Sequence, residues 1–165
     1  AAGLAGEPDV VVTATLSKAL GGAGGLVAGP PELIRHLIDT SRTFIYDTAL
    51  PPAVAAGVHA AVDLARSSET LRRELADRAQ TATDRLRAAG LTVSQPAGGG
   101  VSVTAPSAEA AVDWANACLD QGVAVGCFRP PSTPDSRSRL RLTVNVGVPR
   151  ADFDWALDII AGCAP

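Results

Sequence analysis

The chain has 165 residues, of which 47% are hydrophobic, 19% charged and 4% aromatic. This composition is typical of a globular protein and excludes an intrinsically disordered one. The net charge of −3 disfavours nucleic-acid binding, which shows as an excess of basic residues. No apolar run reaches the roughly 18 residues that a membrane helix needs, and no secretion signal is visible.

The three cysteines indicate neither a metal site nor a disulfide framework. Cys118, Cys127 and Cys163 are odd in number and widely spaced, so they match no metal-binding or disulfide pattern. We therefore expect buried, unreactive thiols, no metal site and a reduced, cytoplasmic setting. The chain also contains no methionine and leads quickly into a strand, as the interior of a longer protein would.

Short strands and helices alternate in the first part of the chain. Asp9–Thr15 is rich in β-branched residues and predicts a buried strand, and Gly25–Ala28 predicts a second one. Pro31–Ile38 has the proline start of a helix. Thr43–Leu50 is aromatic and polar and predicts an extended segment. Ala53–Ala89 predicts a long helical stretch with a break at its serine pair, near Ser67.

The later part predicts a small α/β sandwich, a sheet with helices on one face. Its predicted strands are Leu91–Ser94, Val101–Ala105, Val123–Phe128 and Leu140–Val146, and its predicted helices are Ala108–Asp120, with Ser107 as N-cap, and Asp152–Ala161. Trp114 and Trp155 are expected to pack these helices on the sheet. The break near Ser67 predicts two domains, residues 1–66 and 67–165.

Lys18 is the only lysine, whereas the chain has 13 arginines among its 14 basic residues. An amine can lose its proton and form an imine, which a guanidinium cannot do in water. Lys18 also directly follows the first predicted strand and precedes a glycine-rich loop, where a lysine kept for solubility is unusual. The position favours a chemical role for Lys18.

The residues beside Lys18 suit a phosphate. Thr15 and Ser17 supply two hydroxyls within three residues of the amine, and the glycines that follow expose backbone amides. The glycines fit neither the phosphate-binding loop, because the lysine precedes them, nor the dinucleotide fingerprint. An imine-forming amine beside a phosphate site indicates pyridoxal phosphate rather than a nucleotide.

Three segments then resemble one family in the right order. Pro8–Gly22 (PDVVVTATLSKALGG) resembles the cofactor-lysine segment of the α-oxoamine synthases, which are pyridoxal-phosphate enzymes of the aminotransferase fold type I. Phe44–Pro52 (FIYDTALPP) and Cys127–Pro134 (CFRPPSTP) resemble two further segments of that family. The resemblance implies an α/β fold, with the end of the large cofactor-binding domain in residues 1–66 and the small C-terminal domain in 67–165.

The family assigns a role to each matching residue. Lys18 would bind pyridoxal 5'-phosphate covalently and later act as the catalytic base. Thr15 would bind the cofactor phosphate, and Thr48 would do the same from the partner subunit of a homodimer. Arg129 would bind the carboxylate of the amino-acid substrate. Asp47 departs from the pattern, since a small hydroxyl residue is common there.

Within the family, the Arg-Pro-Pro segment is most similar to members that make a biotin precursor. They condense L-alanine with a pimeloyl thioester, carried on coenzyme A or acyl carrier protein, and release carbon dioxide. The family's residues around the cofactor ring precede this region, so we expect the chain to be a C-terminal portion that is inactive alone. The alternatives are a synthase using glycine with acetyl or succinyl carriers, one using serine, a plain aminotransferase, and a non-catalytic domain.

Overall fold

The computed structural model describes residue 4 and residues 6–165. The chain separates into two compact units, which meet between Ser68 and Glu69. We refer to residues up to Ser68 as the first unit and to the rest as the second unit. This division lies two residues beyond the predicted boundary. Across the described residues, no helix is both long and apolar enough to cross a membrane.

The first unit contains a two-stranded sheet and three helices. They are β1 (Val12–Thr15), β2 (Gly25–Ala28), α1 (Pro31–Thr40), α2 (Arg42–Tyr46) and α3 (Pro52–Ser67). The two strands are antiparallel, with Val12 opposite Ala28 and Thr15 opposite Gly25. Prolines begin α1 and α3, where the missing N–H would have no helical partner in any case.

Two expectations for the first unit were wrong. All four residues of β1 are exposed, and among the described residues of this unit β1 pairs only with β2. β-Branched residues favour a strand, but whether that strand is buried depends on the elements that pack against it. Part of Thr43–Leu50 is the short helix α2 rather than an extended segment, since Ser41 and Thr43 accept the backbone hydrogen bonds of Ile45 and Asp47.

The second unit has a three-stranded antiparallel sheet covered by three helices. Its elements are α4 (Glu69–Ala88), β3 (Gly100–Thr104), α5 (Ala108–Asp120), β4 (Gly126–Phe128), β5 (Arg139–Thr143) and α6 (Arg150–Gly162). The strand order is β3-β5-β4. Alternate residues of β3 and β5 point into the core, including Val101, Val103 and Leu140, which are fully buried. The predicted α/β arrangement of this region is confirmed.

The core of the second unit forms where the three helices pack on one face of that sheet. Leu86 of α4, Trp114 of α5 and Leu157 of α6 are buried there. The Trp114 indole N–H donates to the carbonyl of Ile160 at 2.9 Å, so this large side chain is buried without an unsatisfied donor. The expectation for Trp155 was wrong: it is 48% exposed, on the outer side of α6.

Three predicted strands of the second unit are shorter in the structure. The strand predicted as Leu140–Val146 is β5, which ends at Thr143. The segment predicted as Leu91–Ser94 contributes only an isolated bridge between Val93 and Val103. The strand predicted to begin at Val123 begins at Gly126. Apolar residues of the Leu91–Ser94 and Val123–Phe128 segments belong to or pack against the core although most of them are not in a strand, so hydrophobicity alone overestimated the strand length.

Candidate active site

The loop between β1 and β2 presents Lys18 to solvent. Leu16 is buried and anchors the loop, because its N–H donates to Gly24 O at 3.0 Å and its carbonyl accepts from Gly22 N at 2.8 Å. A tighter turn lies inside this pair, where Gly21 N donates to Lys18 O at 3.0 Å. Lys18 is exposed, and its ammonium makes no ion pair with any residue that the structure describes.

The two hydroxyls next to Lys18 are already arranged together. Thr15 Oγ1 and Ser17 Oγ lie 2.7 Å apart, and the N–H of Ser17 donates to Thr15 Oγ1 at 3.3 Å. Both residues are exposed at the end of β1. Two hydroxyls and a free amine within four residues can bind a phosphate and, next to it, attack a carbonyl carbon.

Glycine is required in this loop for packing reasons. A Cβ atom on Gly22 would lie 2.2 Å from Cγ2 of Val58, the one buried residue of α3. A Cβ on Gly24 would lie 3.0 Å from Leu50, and Gly24 has a positive φ of 84° that favours glycine. The loop therefore lies directly against α3 and the segment that precedes it.

Thr48 lies in that preceding segment, two residues before Leu50. It is exposed, and its hydroxyl has no hydrogen-bond partner among residues 6–165. Asp47, beside it, is also exposed, and its backbone N–H ends α2 by donating to Thr43 O at 3.2 Å. The first unit thus holds Thr15, Lys18 and Thr48, with the loop and the Leu50 segment in contact.

Arg129 belongs to the second unit and directly follows β4. It is exposed, and it forms no ion pair within the described part of the chain. Its carbonyl accepts from Ser132 N at 2.9 Å, which closes the turn of the Arg-Pro-Pro segment. The pKa of Glu109 is lowered, chiefly by its own backbone N–H, then by the Ser107 hydroxyl and more weakly by the charge of Arg129. Arg129 therefore has a free guanidinium, able to bind a carboxylate in a forked geometry.

Sequence reasoning missed the packing roles of Gly22 and Gly24 and the environment of Thr133. The side-chain oxygen of Thr133, in the Arg-Pro-Pro segment, is buried and has no hydrogen-bond partner in the described chain. The glycine-rich composition signals a special loop, but only the fold shows which glycines contact Val58 and Leu50. No sequence signal identifies the buried hydroxyl.

The fold and the lysine loop define a class of protein. The family model for class I and II aminotransferases matches residues 1–160, and the chain belongs to this family. A solved structure of SPT with a PLP internal aldimine is 26% identical and superposes with a TM-score of 0.89, over 98% of this chain and 41% of that one. The 8-amino-7-oxononanoate synthase of Francisella tularensis, at 24% identity and a TM-score of 0.79, has the same fold over 93% of this chain and 45% of that one.

Curated relatives are more similar in sequence. The 8-amino-7-oxononanoate synthase of Mycolicibacterium smegmatis is 47% identical over 94% of this chain and 39% of its own length. The enzyme of the same name from Mycobacterium sp. (strain JLS) is 44% identical over 96% of this chain and 41% of its own length. The chain thus spans about two fifths of the length of these relatives.

Proposed function

We propose that this chain is the lysine-bearing part of an 8-amino-7-oxononanoate synthase. The reaction condenses L-alanine with a pimeloyl thioester, forms 8-amino-7-oxononanoate and releases carbon dioxide and the free thiol of the carrier. The identities of 42–47% to relatives with this name support the proposal. The observation that carries it is the position of the only lysine in an exposed loop, next to two hydroxyls.

The residues present fit pyridoxal 5'-phosphate. Thr15 and Ser17 would bind its phosphate through their paired hydroxyls, and Lys18 would bind its aldehyde. The glycines keep side chains out of the loop beside this position, since the space next to Gly22 is filled by Val58. When bound, the cofactor withdraws electrons from the α-carbon of the amino acid.

The remaining roles follow from the chemistry of each side chain. Lys18 Nζ, once neutral, would accept the α-proton of the amino acid and return a proton later in the reaction. Arg129 would orient the substrate through its carboxylate. Thr48 would contribute its hydroxyl to the phosphate site of the other subunit of a homodimer, and the same proposal includes a cytoplasmic location. These roles require the residues to meet in the complete enzyme.

Borohydride trapping tests the proposal sharply, because the chain has one lysine. The full-length protein that contains this chain is incubated with pyridoxal phosphate, reduced and digested, and the labelled peptide is identified by mass spectrometry. Within these 165 residues we expect the label on Lys18. Lys18→Arg keeps the charge and removes the only side-chain amine of these 165 residues, so no peptide from this region should carry the label.

The controls separate binding from chemistry. Thr15→Val removes one hydroxyl and should weaken cofactor binding about tenfold while leaving the label on Lys18, because a hydrogen bond to a charged group contributes roughly 1.5–3 kcal/mol. Asp63→Asn, on the exposed side of α3, should change neither binding nor labelling. A label that persists at full yield in Lys18→Arg, or one found only at the N-terminus, would refute the proposed role.

A second candidate is a synthase of the same kind that uses another amino acid. The structural match to SPT favours this candidate. The sequence identity to SPT is 26%, well below the 47% to a curated 8-amino-7-oxononanoate synthase, so it ranks second. Turnover of L-alanine, glycine and L-serine with pimeloyl, acetyl, succinyl and palmitoyl thioesters distinguishes the candidates. Preference for L-alanine and the pimeloyl thioester supports the proposal, and preference for another pair supports the alternative.

A further inference from the structure

The second unit contains a pocket of about 390 Å³ between the start of α5 and the segment before β5. Its lining is rich in hydroxyls and holds one cation. The polar side chains are those of Thr104, Ser107, Ser136, Arg137 and Ser138. No carboxylate is among the lining residues, so the polar groups of the pocket are suited to an anion.

Ser138 is the most informative of these residues. It is only 6% exposed, and its hydroxyl has no hydrogen-bond partner among the residues that the structure describes. The hydroxyl is not sealed inside the protein, since Thr133 Oγ1 is the only fully buried and unpartnered side-chain polar atom in the described chain. Ser138 is also one of the residues that line the pocket. A hydroxyl without a partner in the described chain can donate to or accept from a ligand in the pocket.

Arg137 supplies the charge. It is exposed, and its guanidinium makes no ion pair or hydrogen bond within residues 6–165, whereas the neighbouring Arg139 is paired with Asp135. The backbone holds Arg137 in place, because its N–H donates to Asp135 Oδ1 at 3.3 Å and its carbonyl accepts from Arg139. Ser136, just before it, has a positive φ of 54°, which is rare for a residue with a side chain.

The start of α5 does not itself provide the site. The N–H of Ala110 already donates to Ser107 Oγ at 3.1 Å, so the capping serine is engaged by the helix itself. Glu109 in the first turn of α5 and Asp135, which accepts from the N–H of Arg137, are the carboxylates beside the lining residues that a bound anion would meet. The attraction has to come from Arg137 and from the hydroxyls of Ser138, Ser136 and Thr104.

We propose that this pocket binds the phosphate group of a small molecule. A phosphate has enough acceptor oxygens for a guanidinium and several hydroxyls from different directions, whereas a carboxylate has only two. The pocket is larger than one phosphate, so it admits a phosphate monoester as well as the free ion. The inference depends only on residues of the second unit and does not require the function proposed above.

The test is an NMR titration of the 165-residue chain with inorganic phosphate, glycerol phosphate and acetate. Phosphate and its monoester should shift the amide signals of Ser107, Arg137 and Ser138, and acetate should bind at least about tenfold more weakly. Arg137→Gln should weaken phosphate binding about tenfold or more, as expected for a charge-assisted contact. The matched control is Arg73→Gln, which removes the same charge from α4.

Two further variants test the geometry. Ser138→Ala should weaken binding several-fold without changing the net charge, and Glu109→Gln should strengthen it by removing the nearby carboxylate. The proposal is wrong if Arg73→Gln and Arg137→Gln weaken binding equally, if acetate binds as well as phosphate, or if phosphate causes no localised shift. Each variant's amide spectrum also shows whether the second unit is folded.

Discussion

At the scale of single residues, Gly22 is the clearest example of a position where steric contact excludes any side chain. A Cβ atom there would lie 2.2 Å from Val58 Cγ2, a separation that real Cβ atoms do not show. Val58 and Leu16 are the only buried hydrophobic residues described in the first unit, and the loop carries Lys18. A change at Gly22 should therefore disturb both the small core of this unit and the position of the lysine.

We predict that Gly22→Ala lowers the free energy of unfolding by about 1–3 kcal/mol, as overpacking does. Gly57→Ala is the matched control, since nothing lies within 4 Å of a Cβ on Gly57 in α3. It should raise the same free energy by about 0.5–1 kcal/mol, because alanine favours a helix. Urea unfolding of the 165-residue chain, followed through the amide signals of the first unit, measures both, and adding Val58→Ala should rescue the first variant. Equal effects of the two glycine changes would contradict the packing argument.

Cys118 is a second position where the surroundings decide the chemistry. Burial, and after it the neighbouring Cys163, raise the pKa of its thiol from 9.0 to about 11. At pH 8 only about one Cys118 side chain in a thousand would be the reactive thiolate. The thiols of Cys127 and Cys163 are only half-buried.

We therefore predict that iodoacetamide at pH 8 modifies Cys127 and Cys163 well before Cys118, as peptide mapping by mass spectrometry can show. The modification of Cys118 should rise with pH up to about 11 in the folded chain, since the thiolate fraction grows over that range. In urea the three rates should become similar. Fast modification of Cys118 in the folded chain would show that the thiol is accessible.

At the scale of elements, α5 is defined by its first residue and its cap. Ser107 Oγ accepts from Ala110 N at 3.1 Å, and Glu109 in the first turn has a lowered pKa because of its own backbone N–H and the Ser107 hydroxyl. Ser107→Ala should destabilise the second unit by about 0.5–2 kcal/mol. It should also move the pKa of Glu109 upward, which an NMR titration measures. Ser132→Ala, an exposed serine without such a contact, should do neither.

Local signals of this kind explain which elements could be predicted from the sequence. The predicted bounds of α5 agree with the structure, because a capping serine and the later Gly122, with φ of 85°, are local features. The break between α3 and α4 at the serine pair was also predicted correctly. The exposure of β1 could not be predicted in this way, because burial depends on what covers a strand. The exposure of Trp155 could not be predicted either, because it depends on how α6 is rotated about its axis.

The functional residues likewise include some whose proximity could be predicted from the sequence and some whose proximity could not. Thr15, Ser17 and Lys18 are adjacent in the chain, so their proximity could be predicted, and the structure adds the hydrogen bond between the two hydroxyls. The pocket at Arg137 could not be predicted. It depends on Ser138 being buried beside the other lining residues, and the tertiary fold of the second unit determines that.

At the scale of the whole molecule, buried hydrophobic surface is distributed unevenly. The continuous core cluster lies entirely in the second unit, where it draws on the sheet and on α4, α5 and α6. The same unit is held by Arg78, which is 7% exposed and donates to the carbonyls of Asn145 at 3.1 Å and Val148 at 2.6 Å. Since hydrophobic burial is the main favourable contribution to folding, the second unit should be stable without the first.

We predict that a polypeptide of residues 69–165 unfolds cooperatively on heating, whereas one of residues 1–68 shows no such transition. The first unit described here buries only Leu16 and Val58, too little apolar surface to offset the loss of chain entropy. Circular dichroism and amide NMR spectra of both polypeptides measure this. Leu86→Ala, in the core of the second unit, should lower its stability by about 2–5 kcal/mol, and the exposed Leu119→Ala should change it little. A cooperative transition in residues 1–68, or none in residues 69–165, would show that the distribution of buried residues does not determine which unit folds.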